Sequence, residues 1–203
     1  MGRKIMLKMK KGCSAPFPER LYEQYEVKEN MIVANVGTDK IKDMMLDFID
    51  MHDEWLFFIL EIPTSLKDEP KDEKGELICM HKDVYYIDGC SQKKAKSLLL
   101  DSGKLLIDDG MNCFGFGCHE SKEEILFDQY NVMTIFTRES EKYDDFFEAY
   151  GIAKTDKLIT AWKTFSDEHY GECRQLTIGN RDIYSISEEY KKYGMYVAVR
   201  REQ

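Results

Sequence analysis

The segment from Met111 to Glu120 is the most unusual stretch of the sequence. It reads Met-Asn-Cys-Phe-Gly-Phe-Gly-Cys-His-Glu and places two thiols, an imidazole and a carboxylate beside two glycines. Its last three residues, Cys118, His119 and Glu120, have the side-chain types of a nucleophile, a base and an acid. Catalytic partners must also meet in space, with a third group orienting the base. Adjacency alone therefore makes these three residues weak catalytic candidates.

Metal and anion binding are two further interpretations of this segment. Cys113, Cys118 and His119 are zinc-ligand types, but a zinc knuckle separates paired cysteines by two residues and four separate them here. We therefore predict no metal site and no cofactor. Gly115-x-Gly117 resembles an anion-binding turn. It lacks a third glycine and the Gly-Lys-Ser/Thr ending of a phosphate-binding loop.

A purely structural interpretation of the glycines is the strongest. Two glycines between aromatic residues often mark a bulge or a close backbone approach in a strand. In such a strand Phe114 and Phe116 lie on one face and Cys113 on the other, because side chains alternate.

The clearest helix signal runs from Thr38 to Asp50. Apolar residues recur at the i, i+3, i+4, i+7, i+8 spacing of an amphipathic helix; they are Ile41, Met44, Met45, Phe48 and Ile49. Four aspartates lie three or four residues apart beside this apolar face: Asp39, Asp43, Asp47 and Asp50. We call these four residues the aspartate stripe and predict that they bind a partner, although an ordinary solvated face gives the same pattern.

The remaining elements alternate irregularly between helix and strand. Trp55–Ile62 is almost continuously apolar, which predicts an interior strand, and Ser140–Tyr150 predicts a second amphipathic helix. Residues 4–10 alternate apolar residues with lysines, which favours a half-buried edge strand. Ser121 and Glu124 have capping-box spacing, which predicts a short helix.

These elements together favour one α+β (mixed α/β) domain over residues 1–203. We predict a mainly antiparallel central sheet with three to five helices packed on it. The segment at about 63–76 holds prolines, a glycine and many charged residues, which indicates a charged loop.

Charge limits the class of partner. The 203 residues carry a net charge of −9, and the first eleven contribute five bases and no acid, so the rest carries −14. Such a surface repels nucleic-acid phosphates, and basic proteins are its natural complement. No stretch has the pattern of a secretory signal or of the roughly 18 apolar residues of a membrane span. We expect a cytoplasmic protein with no membrane partner, whose six scattered cysteines are reduced thiols.

Two functional hypotheses follow. The first is a non-enzymatic interaction protein that binds a basic protein partner through the aspartate stripe, as immunity or inhibitor proteins do. The alternative is a small enzyme or ligand-binding domain with its site near Cys113–Glu124. A self-associating protein, pairing through the lysine-rich N-terminal strand, is a third possibility.

Overall fold

The computed structural model describes residues 5–202. Its strands, in chain order, are β1 (Cys13–Ser14), β2 (Gln24–Lys28), β3 (Met31–Asn35), β4 (Leu56–Pro63), β5 (His81–Cys90), β6 (Cys113–Cys118), β7 (Glu124–Phe127), β8 (Val132–Phe136), β9 (Ala153–Lys154), β10 (Glu172–Cys173) and β11 (Tyr196–Glu202). Its α-helices are α1 (Thr38–Asp50), α2 (Gln92–Asp108), α3 (Asp144–Ala149) and α4 (Ile183–Glu189).

The α+β class is confirmed, but the sheet differs from the predicted one. It is a large mixed sheet of nine strands in the order β11-β5-β4-β6-β7-β8-β3-β2-β9, with four α-helices in the described residues. The mixed character arises because the chain crosses from β8 through α3 and adds β9 parallel to β2. Strands β1 and β10 form a separate two-stranded ribbon.

Helix α1 has the predicted bounds and buries all five predicted apolar residues. They join one large core cluster with residues from every α-helix and from one face of the large sheet. The aspartates therefore lie on a helix that is anchored by its opposite face.

Strand β4 is the predicted interior strand, hydrogen-bonded to β5 and β6. Leu56, Phe58 and Leu60 face the main core, while Phe57 and Ile59 form a small cluster on the other face. Trp55 lies outside the strand and is exposed. Burial of β4 on both faces explains its continuous apolar run.

The predicted helix Ser140–Tyr150 is present in two parts. A 3-10 turn over Ser140–Tyr143 leads into α3, and Phe146 and Phe147 are buried. The longest helix, α2, has 17 residues, and its N-cap Ser91 accepts a hydrogen bond from the Lys94 N–H. In residues 5–202 no helix is both long and apolar enough to cross a membrane.

Two local predictions are wrong. Residues 5–10 form no strand and make only an isolated bridge between Met6 and Tyr22, while Lys4 lies outside the described residues. The segment after Ser121 leads into strand β7 and not into a helix. In both places contacts with distant segments replace the local pattern. Lys10 donates its backbone N–H to the Asn131 side chain. Strand β7 pairs with both β6 and β8.

Candidate functional site

The aspartate stripe is solvent-exposed along its whole length: Asp39, Asp43, Asp47 and Asp50 are all exposed. The lysines of α1 neutralise it less than their spacing suggests. Lys40 turns away and its Nζ contacts Glu23 Oε2 at 2.5 Å and the Tyr150 carbonyl at 2.8 Å. Only Lys42, 3.9 Å from Asp43, and Lys96, paired with Asp50, are ion-paired to the stripe within the described chain.

Tyr150 connects the aspartate stripe to α3, the helix that ends at this tyrosine. Its hydroxyl donates to Asp47 Oδ2 at 2.5 Å, and burial together with Asp47 raises the pKa of Tyr150. Asp145 and Glu148 are exposed on α3, which ends at this tyrosine. The aspartate stripe of α1 and the acidic residues of α3 are therefore connected through Tyr150.

Cys118, at the end of β6, is buried. Burial and the nearby negative charge of Glu54 raise the pKa of its thiol to about 12. A thiol with this pKa holds almost no thiolate at neutral pH, and the thiolate is the nucleophilic form.

His119, the next residue, is exposed. Its ring packs on Phe57 at a centroid distance of 4.7 Å, and its Nε2 lies 3.4 Å from Asp88 Oδ1. Glu120 is also exposed, and its backbone N–H donates to Glu54 Oε2 at 2.9 Å. The three weak catalytic candidates are thus neighbours in sequence, but His119 faces Asp88 rather than Cys118.

Glu123, the residue just before β7, carries a buried carboxylate. Its Oε2 accepts hydrogen bonds from His52 Nε2 at 2.8 Å, from Lys142 Nζ at 2.5 Å and from the Tyr143 hydroxyl at 2.9 Å. The hydroxyl of Thr137 donates to its Oε1 at 2.5 Å. We call these five residues the Glu123 network.

The hydrogen bonds of this network hold Glu123 ionised. Burial alone raises its pKa, but hydrogen bonds led by those from His52 and Lys142 outweigh burial and lower it to about 2. The other nitrogen of His52, Nδ1, lies 2.7 Å from the Phe48 carbonyl. Sequence analysis missed Glu123, because one acidic residue before a strand carries no local sign of burial.

The two glycines of β6 serve close packing. A Cβ on Gly115 would lie 1.9 Å from the Ile125 carbonyl oxygen, and one on Gly117 would lie 2.3 Å from the Phe57 ring. Phe114 and Phe116 join the main core on one face, as the structural interpretation predicts.

The described residues hold no group of three or more His, Cys, Asp or Glu side chains placed to bind a metal ion. No protein-family model matches the chain, and no match was found among curated proteins or solved structures. Any functional inference must therefore come from the side chains themselves.

Proposed function

We propose that this protein is a non-enzymatic interaction protein that binds a basic protein partner through the aspartate stripe. The observation that carries the proposal is the exposure of all four aspartates on one helix face, while Lys40 of the same helix is engaged by Glu23. Complementary charge speeds encounter and fixes the orientation of a partner. An immunity- or inhibitor-like role fits this chemistry.

The neighbouring acids support the same proposal. Asp145 and Glu148 of α3 extend the negative charge past Tyr150, so a partner meets a field from two helices. The alternative, a small enzyme near Cys113–Glu124, has less support, because the Cys118 pKa of about 12 leaves little thiolate.

The test compares the wild type with the double variant Asp43→Asn/Asp47→Asn as immobilised bait. The matched control, Asp167→Asn/Glu168→Gln, removes two charges from an exposed turn outside the helices. We expect the wild type and the control to retain at least one basic protein that the stripe variant loses.

The identified partner is then measured by association kinetics. We expect the stripe variant to reduce the association rate by at least threefold at low salt, with little change in dissociation. Because the Debye length falls from about 10 Å at 0.1 M to about 3 Å at 1 M salt, this difference should shrink at high salt. The proposal is wrong if no retained protein depends on the stripe, or if the stripe variant and the control associate equally fast.

A further inference from the structure

Cys13 and Cys173, 160 positions apart in the chain, are brought together by the β1–β10 ribbon. Their Sγ atoms lie 3.2 Å apart as free thiols. The two residues are directly opposite in the antiparallel register. The next pair of the ladder is hydrogen-bonded, since the Arg174 N–H donates to the Gly12 carbonyl at 2.8 Å.

That register suits a disulfide. Hydrogen-bonded and non-hydrogen-bonded pairs alternate along an antiparallel ladder, so Cys13 and Cys173 occupy a non-hydrogen-bonded position. Cα atoms at such positions are about 4.5 Å apart, and this separation falls in the range that a disulfide spans. The bond can form without moving the strands apart.

Tyr130 packs in the same hydrophobic cluster as the two cysteines, in an unusual backbone conformation. Its side chain helps to lower the pKa of Cys173, and its backbone acts in the same direction on Cys13 against the effects of Cys173 and burial. Its φ of 55° lies in the left-handed region, which is uncommon for a residue other than glycine. Such conformations persist only where surrounding contacts hold them, and they concentrate at functional sites.

A buried cation lies beside the pair. Lys10 is 1% exposed, and its Nζ lies 3.5 Å from the Asp128 carbonyl and 4.7 Å from the centre of the Phe127 ring. Within residues 5–202 no carboxylate forms an ion pair with it. Burial lowers the pKa of Lys10, whereas negative charge on Cys13 acts in the opposite direction. A thiolate is therefore a suitable counter-charge for this lysine.

The thiol pair is accessible from outside. A cleft of about 600 Å³ is lined by both cysteines and by Lys11 and Arg174, with Glu172 as its acidic member. The hydrogen bond from the Cys13 thiol lowers the pKa of Cys173 to about 7, with further help from Tyr130 and Lys10 against the effect of burial. Cys173 is also the less buried of the two cysteines, so we expect it to be the attacking thiol.

We propose that Cys13 and Cys173 form a redox-active dithiol that exchanges with small anionic disulfides such as glutathione disulfide. The Cys173 thiolate attacks one sulfur of the small disulfide, whose S–S bond breaks, and one thiolate leaves and takes up a proton. The Cys13 thiol then loses its proton and attacks Cys173 Sγ, which expels the second thiolate. The protein dithiol gives two electrons, and the small disulfide becomes two thiols.

The test uses the full-length chain after reduction and removal of reductant. The protein is equilibrated in buffers of graded reduced-to-oxidised glutathione ratio, quenched by alkylation and mapped by peptide mass spectrometry. We expect one intramolecular bridge, Cys13–Cys173, that forms and reopens as the ratio changes. The matched control Cys79→Ser removes another partly exposed thiol and leaves this bridge unchanged.

Variants that lack one of the two cysteines separate the attacking thiol, Cys173, from the resolving thiol, Cys13, which breaks the mixed disulfide. Cys13→Ser should accumulate a glutathione mixed disulfide on Cys173, because the resolving thiol is missing. Cys173→Ser should form a mixed disulfide on Cys13 at least tenfold more slowly. Wild-type mapping decides the question even if a variant fails to fold.

Three results would overturn the proposal. The first is a wild-type protein that forms no Cys13–Cys173 bridge at any ratio. The second is a bridge that reduced glutathione cannot open, since that describes a structural disulfide. The third is equal reactivity of Cys13 and Cys173 in the two single variants.

Discussion

Cys118 is buried and Cys173 is partly buried, and their neighbours act on the two thiols in opposite directions. Cys118 has the main core on one side and the carboxylates Glu54 and Glu123 nearby, and its pKa rises to about 12. The Cys13 thiol, 3.2 Å away, together with Tyr130 and Lys10, favours the Cys173 thiolate, and the pKa of Cys173 falls to about 7. The two sites differ in hydrogen-bonding neighbours and charge as well as in depth.

This difference shows what makes a thiol reactive in this fold. The ring nitrogen of His119, next to Cys118 in the chain, pairs with Asp88. Cys13, far away in the chain, lies with its Sγ 3.2 Å from Cys173 Sγ. Hydrogen-bond donors and cations in space, and not neighbours in sequence, therefore set thiolate character.

The largest expected effect concerns the stability of the oxidised protein. A Cys13–Cys173 bridge closes a loop of 160 residues, and the chain-entropy model gives a gain of up to about 5 kcal/mol in the free energy of unfolding. Urea unfolding of oxidised and reduced protein measures this gain. The Cys13→Ser variant should show one midpoint under both conditions, and equal midpoints for the wild type would contradict the prediction.

Removal of Glu123 tests whether the Cys118 region is structural. Glu123→Ala leaves His52 and Lys142 without their shared carboxylate, and breaking a buried ion pair costs about 3–5 kcal/mol. We expect a loss of this size in the free energy of unfolding by urea titration. Glu120→Gln, an exposed acid of the same loop, serves as the control and should change stability by less than about 0.5 kcal/mol.

Alkylation rates compare the two thiols directly. With pKa values of about 7 for Cys173 and about 12 for Cys118, the thiolate fraction favours Cys173 at neutral pH. The lower intrinsic nucleophilicity of the more acidic thiol offsets part of this advantage, which leaves about two to three orders of magnitude in rate. Timed iodoacetamide labelling with peptide mapping should show it, and the Cys173 rate should fall as the pH drops below 7. Comparable alkylation rates at Cys173 and Cys118 would contradict the predicted difference in their thiolate fractions.

Acid should destabilise the protein through Glu123. Its pKa is lowered from 4.5 to about 2 in the folded state, so its contribution is fully present above pH 4.5 and is lost as the pH falls towards 2. Linkage puts this contribution at about 3 kcal/mol. Urea midpoints between pH 5 and pH 2 measure how the free energy of unfolding falls with pH. The Glu123→Gln variant should lack the part of this fall that Glu123 contributes.

Local sequence patterns were sufficient where a helix or strand is defined by its own burial. The apolar spacing of Ile41 to Ile49 predicts α1 because one face of that helix enters the core. The prediction that the glycines of β6 mark a close backbone approach is also confirmed, because that strand is buried along its whole length. The capping-box pattern at Ser121 failed, because pairing of β7 with two neighbouring strands outweighs a local hydrogen-bond preference.

The sites depend on contacts that no local pattern records. Lys10 was expected on the exposed side of a strand, yet the side chain of Asn131 accepts its backbone N–H at 2.8 Å and its side chain is buried. Cys13 meets Cys173 only because the ribbon joins the two ends of the chain. The aspartate stripe was visible in the sequence, but the contact of Lys40 with Glu23 was not.

The smallest expected effect is that of His119→Ala. The side chain is 68% exposed, and its interaction with Asp88 at 3.4 Å is a surface ion pair of about 0–1 kcal/mol. Its contact with the Phe57 ring adds at most about 1 kcal/mol at such an exposed position. We therefore expect thermal unfolding to shift by no more than a few degrees. Cys118 alkylation should also keep its wild-type rate, because the ring nitrogen faces Asp88 and takes no proton from that thiol. A tenfold or greater fall in the Cys118 rate would instead make His119 its base, and the contrast between the two thiols would then have to be abandoned.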